Sequence, residues 1–182
     1  ASSPSLKKKL EISVAGLEYD SVESPVSNQF PRQGVASSFL RRLAEQAEGQ
    51  TELTVRLSPS ARFHLPADAD RPIVMFAGGS GIAPFAGFLQ ERMQSDLSRN
   101  WLYFGTRTEA EIHHRELLEK LAGAGRLHLR VALSREDKQI FLQDGRLAAR
   151  SGTACHVDSL LDQDAETLWS LLRNPDEGGE QA

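Results

Sequence analysis

Gly78, Gly79, Ser80 and Gly81 follow directly on the apolar run Ile73–Ala77, and Ile82, Ala83 and Pro84 open the segment behind them. Small residues let a backbone turn sharply and leave no side chain between its amides and a ligand. Pro84 suits the first turn of a helix, where a missing N–H costs nothing. The pattern therefore predicts a helix N-terminus with free amides at the carboxyl end of a strand, a place where phosphate groups bind. The same residues would also serve a tight connection that holds no ligand. There is no Gly-Lys-Ser/Thr of a Walker loop, and proline stands where the dinucleotide fingerprint has its third glycine. Ile82 stands where the nucleophile elbow needs its second glycine. Two further apolar runs end in donors, Gly105-Thr106-Arg107 and Ser134-Arg135. An arginine beside a hydroxyl suits a phosphate monoester such as the 2′-phosphate of NADP.

The elements that must position these groups follow from hydrophobic periodicity. Residues 73–77 and 101–105 are continuous apolar runs, predicted as strands covered on both faces, and 126–134 alternates at Leu127, Leu129, Val131 and Leu133. Between them lie two helical patterns, 83–94 and 108–123. The second is predicted to open with a capping box at Thr108 and Glu111 and to stop at Gly123 and Gly125. Strand, helix, strand, helix, strand makes a parallel α/β sheet. Upstream, 10–19 alternates at Leu10, Ile12 and Val14, and 51–59 at Leu53, Val55 and Leu57, so both are predicted strands. Residues 34–49 place Val35, Phe39, Leu43 and Ala47 at four-residue steps, which is a helix stopped near Gly49. The proline-punctuated stretch 58–72 marks a domain boundary. Residues 1–66 supply too few strands to close a barrel. The helical pattern of 164–172 runs straight into a polar tail, so the chain reads as truncated at both ends.

The remaining residues are read as structural. The chain has 182 residues and a net charge of −4, which argues against a basic nucleic-acid face, and no apolar stretch is long enough to span a membrane. One cysteine, Cys155, fits a reducing cytoplasm. The triple lysine at 7–9 reads as a solvated strand approach. His113 and His114, adjacent on a predicted helix, point apart and cannot share a metal. Trp101 and Trp169 are expected in the core, and Arg41 and Arg42 at the surface.

The quoted stretches GGSGIAPFAGFLQER, LYFGTRT, HHRELLEKL and VALSRE, in this order and spacing, resemble the NADP-binding domain of the ferredoxin–NADP reductase superfamily, in particular its diflavin branch. GVASSFL resembles that family's FAD pyrophosphate motif. The resemblance implies a partial FAD-binding antiparallel β-barrel in 1–66, followed in 67–182 by a doubly wound parallel-sheet NADP-binding domain without its last strand. It implies that Gly34, Val35, Ala36, Ser37 and Ser38 hold FAD. Gly79, Ser80, Gly81, Ile82, Ala83 and Pro84 would hold the NADP pyrophosphate, with Ser80 where threonine is usual, and Thr106 and Arg107 beside them. Ser134 and Arg135 would hold the 2′-phosphate and favour NADP over NAD by about a hundredfold. The family's Lys-x-Tyr-x-Gln reads here as Lys138, Phe141 and Gln143, with the lysine one place out of register and the hydroxyl lost. The Arg-x-Tyr-Ser and Cys-Gly-Asp motifs have no counterpart. The implied activity is hydride transfer from NADPH to FAD in the C-terminal part of a flavoprotein reductase. Electrons would pass on to an FMN domain upstream, a haem or an iron–sulfur partner. A nucleotide-binding remnant without turnover and a non-catalytic interaction fragment are the alternatives.

Overall fold

The computed structural model describes residues 10–16, 18–19, 32–46, 52–56, 58, 60, 62–93 and 99–173. The chain divides into two compact units, residues 13–64 and residues 65–182 with 1–12.

In the first unit, β1 (Glu18–Tyr19) pairs antiparallel with β2 (Arg32–Gln33), and α1 (Val35–Ala44) follows after Gly34. Helix α1 was expected from its four-residue steps; Ala47 and Gly49 lie outside the described residues. Two expected strands differ. Residues 10–16 and 52–56 carry no strand, and Leu10, Ile12, Val14, Leu53 and Val55 are exposed. Alternation shows that a segment could bury one face, but a strand forms only when a neighbour completes its ladder. Leu57 and the triple lysine lie outside the described residues.

In the second unit, β3 (Ile73–Gly78), α2 (Ala83–Arg92), β4 (Asn100–Thr106), α3 (Arg115–Gly123) and β5 (His128–Leu133) form the expected βαβαβ order. The three strands are parallel, in spatial order β3-β4-β5, with Gly78 opposite Gly105 and Thr106 opposite Leu133. One face packs Met75, Leu102, Phe104 and Val131 with Leu89 of α2 and Leu118 and Leu121 of α3. The other packs Tyr103 and Ala132 with Leu160 and Leu168. Those two leucines belong to α4 (Val157–Gln163) and α5 (Ala165–Leu172), reached through a hairpin of β6 (Lys138–Gln143) and β7 (Arg146–Ser151). Strand β4 lies between two neighbours and two layers, so Leu102, Tyr103 and Phe104 are fully buried. The Tyr103 hydroxyl donates to the Asp164 carboxylate at 3.0 Å, pinning the joint between α4 and α5, and burial raises the Tyr103 pKa. At Gly105 helix α4 lies close: an added Cβ would stand 2.9 Å from the Val157 side chain.

Four expectations here are corrected. Strand β3 is not covered on both faces, since Phe76 stacks on Tyr103 and still remains 47% exposed. The capping box does not form. Residues Glu109–Glu111 make a separate 3-10 turn, Thr108 caps nothing with its side chain, and α3 starts only at Arg115. The break arises because Ile112 turns into the core and His114 takes a left-handed conformation (φ 56°). His113 and His114 thus lie in a turn, not on a helix. Trp169 is 64% exposed, because α5 already buries Leu168 and Leu171 and its next position along the helix faces away. Helix α3 does stop as expected: Gly125 (φ 69°) lets its own amide reach the Ala122 carbonyl at 3.0 Å and that of Arg126 reach Leu121 at 2.9 Å, a Schellman closure.

Candidate functional site

Strand β3 leaves the sheet at Gly78 in extended conformation, Gly79 turns left-handed (φ 51°), and one 3-10 turn, Gly79–Ile82, feeds α2. Ile82 is fully buried and anchors the turn, and Pro84 sits in the first turn of the helix as predicted. The first amides of this turn have no carbonyl of their own to bond. A Cβ added to Gly78, Gly79 or Gly81 would meet nothing within 4 Å. Gly79 is required by its φ, but no contact among the described residues requires Gly78 or Gly81. Their bareness opens outward. No acidic side chain lies in the first turn of α2, so its positive end is uncompensated there.

The loops after β4 and β5 are joined as a continuation of the parallel ladder. The Ser134 amide donates to the Thr106 carbonyl at 3.0 Å and the Arg135 amide to the Arg107 carbonyl at 2.9 Å. Arg107 and Arg135 are both exposed, so two arginines stand in the loops that follow adjacent strands, at the same sheet edge as the glycine turn. The loop after β5 is further fixed by Asp137, whose carbonyl accepts the Gly152 amide at 3.1 Å and whose carboxylate accepts the Ala154 amide at 3.0 Å.

Other predicted site residues are not brought to this edge in the same way. Thr106 is buried and its hydroxyl donates to the Glu111 carbonyl at 3.2 Å, so that hydroxyl serves the fold. The Ser134 hydroxyl lies 3.4 Å from the Thr106 carbonyl. Lys138 Nζ sits 3.3 Å from Glu109 and 3.4 Å from Glu136. These carboxylates, Glu109 first, raise the Lys138 pKa, while the amide of Glu109, bonding at 3.0 Å, and then Lys138 lower that of Glu136. Phe141, midway along β6, carries the Arg150 guanidinium 5.4 Å above its ring. Gln143 ends β6, about 17 Å of strand beyond Lys138, beside the turn where Gly145 packs on Gly123 at the close of α3. Strand β6 therefore carries Phe141 and then Gln143 progressively away from Ser134 and Arg135.

The second predicted helix N-terminus lies in residues 13–64. Gly34 is extended (φ −61°, ψ 128°), and α1 has neither a side-chain cap nor an acidic residue in its first turn. Gly34, Ser37 and Ser38 are half-buried, whereas Val35 and Ala36 are exposed. Ser37 donates back to the Gly34 carbonyl at 3.2 Å. Gln33 receives Arg41 at 3.0 Å and Ser38 at 3.3 Å, and itself donates to Glu18 at 3.1 Å. Two features near the first site escaped the sequence reading. Glu109 and Glu136 had no motif to mark them, but the hairpin did: Asp144 and Gly145 (φ 49° and 78°) form the two-residue turn that an Asp-Gly pair favours.

Residues 75–167 match the oxidoreductase NAD-binding domain family. The chain is 31% identical over 145 residues to NADPH–cytochrome P450 reductase of Drosophila melanogaster, covering 76% of this chain and 19% of that protein. It is 30% identical over 178 residues to the sulfite reductase [NADPH] flavoprotein alpha-component of Enterobacter sp. (strain 638), covering 96% of this chain and 26% of that protein. Against the bifunctional cytochrome P450/NADPH–P450 reductase 1 of Bacillus subtilis it is 33% identical over 151 residues, 80% of this chain and 12% of that protein. The chain thus spans between about an eighth and a quarter of the length of these relatives. Among the described residues no helix is long and apolar enough to cross a membrane. The names of these relatives agree with the diflavin resemblance, and with more than half of its length matching that family, this chain belongs to the oxidoreductase NAD-binding domain family.

Proposed function

We propose that this chain is the nucleotide-binding portion of an NADPH-dependent flavoprotein reductase. Residues 67–182 would hold NADPH, and residues 1–66 would be part of an FAD-binding barrel. The observation that carries the reading is the pair Gly78 and Gly81, bare where nothing among the described residues requires bareness, at an uncapped helix start on the same sheet edge as Arg107 and Arg135. The free amides at the start of the Gly79–Ile82 turn, those of Gly79 and Ser80, would face the pyrophosphate, the Ala83 amide being taken by the Ser80 carbonyl, with Pro84 setting the helix direction. Arg107 and Arg135, with the Ser134 hydroxyl, would hold the 2′-phosphate. The amides that open α1 at Val35, Ala36 and Ser37, next to Gly34 and Ser38, would meet the FAD pyrophosphate. When bound, the nicotinamide and the flavin supply the redox chemistry, a hydride passing from one to the other. The side chains bind and orient, and none acts as a general acid or base. An FMN or haem domain, or an iron–sulfur partner, would receive the electrons.

The test is thermal unfolding with and without NADPH. A ligand bound only by the folded chain raises Tm, so millimolar NADPH should shift the transition upward by several degrees. An unchanged transition overturns the reading. Reduction of a dye by NADPH with added FAD then separates turnover from binding alone. In the same assay Arg135→Ala should narrow the gap between NADPH and NADH about tenfold. Equal losses for both nucleotides would remove Arg135 from 2′-phosphate recognition.

A further inference from the structure

Resting on the proposed NADPH site, we infer that Glu109 and Glu136 set its nucleotide selectivity, by holding Lys138 between two carboxylates and so withholding its ammonium from the 2′-phosphate. Lys138 opens β6 three residues after Arg135, so by sequence it is the third cation, with Arg107 and Arg135, available to a phosphate monoester. Its Nζ is instead engaged at 3.3 Å by Glu109 and 3.4 Å by Glu136. Glu109 is not free to swing away. Its amide bonds the Glu136 carboxylate at 3.0 Å, and its own carboxylate meets Arg115 at 3.3 Å. Arg115 is tied in turn to Glu119 at 3.0 Å and to the Leu147 carbonyl at 2.7 Å, while the Leu147 amide returns to Glu119 at 3.0 Å. The clamp on Lys138 is therefore one end of a network that anchors hairpin strand β7 to α3.

The charge balance gives this geometry its consequence. The carboxylates of Glu109, Glu119 and Glu136 against Lys138 and Arg115 leave this cluster at −1, next to the loop where a phosphate monoester of about −1.5 to −2 would sit. By contrast Arg107 and Arg135 are exposed and make no ion pair among the described residues. Discrimination then falls to these two arginines, and it is weaker than three cations would provide. Glu109 and Glu136 are positioning residues, acting through Lys138.

The experiment measures Kd for NADP+ and for NAD+ on the full chain and on the Glu109→Gln/Glu136→Gln variant. Release of Lys138 should raise the NADP+ preference about tenfold, with Kd for NAD+ unchanged within about twofold. That constancy also reports that the variant is folded, and a merely structural role would move both constants together. Adding Lys138→Gln should abolish the gain. If the double variant fails to fold, Glu136→Gln alone should give about a threefold rise in the same ratio. An unchanged ratio, or a gain that survives Lys138→Gln, overturns the inference and leaves the NADPH site standing. Failure of the unsubstituted chain to bind either nucleotide overturns both.

Discussion

Helices α1 and α2 begin alike. Each follows a glycine-containing turn, lacks a side-chain cap and has no acidic residue in its first turn. Their embedding differs. Helix α1 buries none of its residues, and Val35 at its start is 87% exposed. Helix α2 buries Ala86, Gly87, Leu89 and Arg92, behind a fully buried Ile82. Exposed amides at a helix start are enough to attract an anion, but holding it in one geometry requires that the helix itself be fixed. The glycine turn of α2 is fixed at both ends, by β3 before it and by a polar knot at the far end of the helix. In that knot Arg92 donates to Asn100 at 2.6 Å and to the Arg71 carbonyl at 3.0 Å, while Asn100 donates to the Arg126 carbonyl at 2.9 Å. Burial lowers the Arg92 pKa, and Asp70 and Asp68 work against that shift.

The largest effect that would break this contrast is Arg92→Leu. It removes the donors to the Asn100 side-chain oxygen and the Arg71 carbonyl, and should cost about 3 kcal/mol in urea unfolding. Arg41→Leu on α1, whose side chain is 53% exposed beside Glu18, should cost less than about 1 kcal/mol. Similar values for both would show that α2 is no better anchored than α1. Next is Gly81→Asp, which sets a carboxylate at the open turn and should raise Kd for NADP+ roughly a hundredfold, about 2.7 kcal/mol. Gly34→Asp should leave that constant within about twofold. If both substitutions weaken NADP+ equally, the two helix starts do not serve different ligands.

The smallest effect concerns pH. Glu119 has its pKa lowered from the usual 4.5, first by the Leu147 amide and also by Arg115. A carboxylate with a depressed folded-state pKa contributes stability above its unfolded pKa, and that contribution fades as pH falls through the folded value. Stability should therefore decline below about pH 4.5, and Glu119→Gln should flatten part of that decline, by about 1 kcal/mol or less. An identical acid limb in both proteins would show that Glu119 does not anchor the hairpin.

What could be read from the chain were features set by nearest neighbours. The continuous apolar runs became β3 and β4, the alternation around Leu129 and Val131 became β5, and the glycine turn with Pro84 became a helix start. Of the alternating segment 10–19 only Glu18–Tyr19 pairs, and the described residues 52–56 do not, because pairing is decided by what lies beside a strand. The Thr108–Glu111 spacing failed because burying Ile112 outweighed a cap. The Asp144-Gly145 turn is legible in the sequence, since an Asp-Gly pair between apolar segments favours a two-residue hairpin. Trp169 shows the opposite limit, for a large ring reads as core in any sequence, while its helix had already assigned that face to Leu168 and Leu171.

By itself the sequence determined a helix start opened by bare glycines in a parallel α/β unit. Glycine conformations, proline position and hydrophobic period act over a few residues and survive without tertiary context. Only the tertiary structure decided which charged groups stay available there. Arg107 and Arg135 project from joined loops, whereas Lys138 meets Glu109 from across the sheet edge. Coulomb attraction acts through space, and two residues 29 positions apart can cancel each other only once the fold has brought them within 3.3 Å.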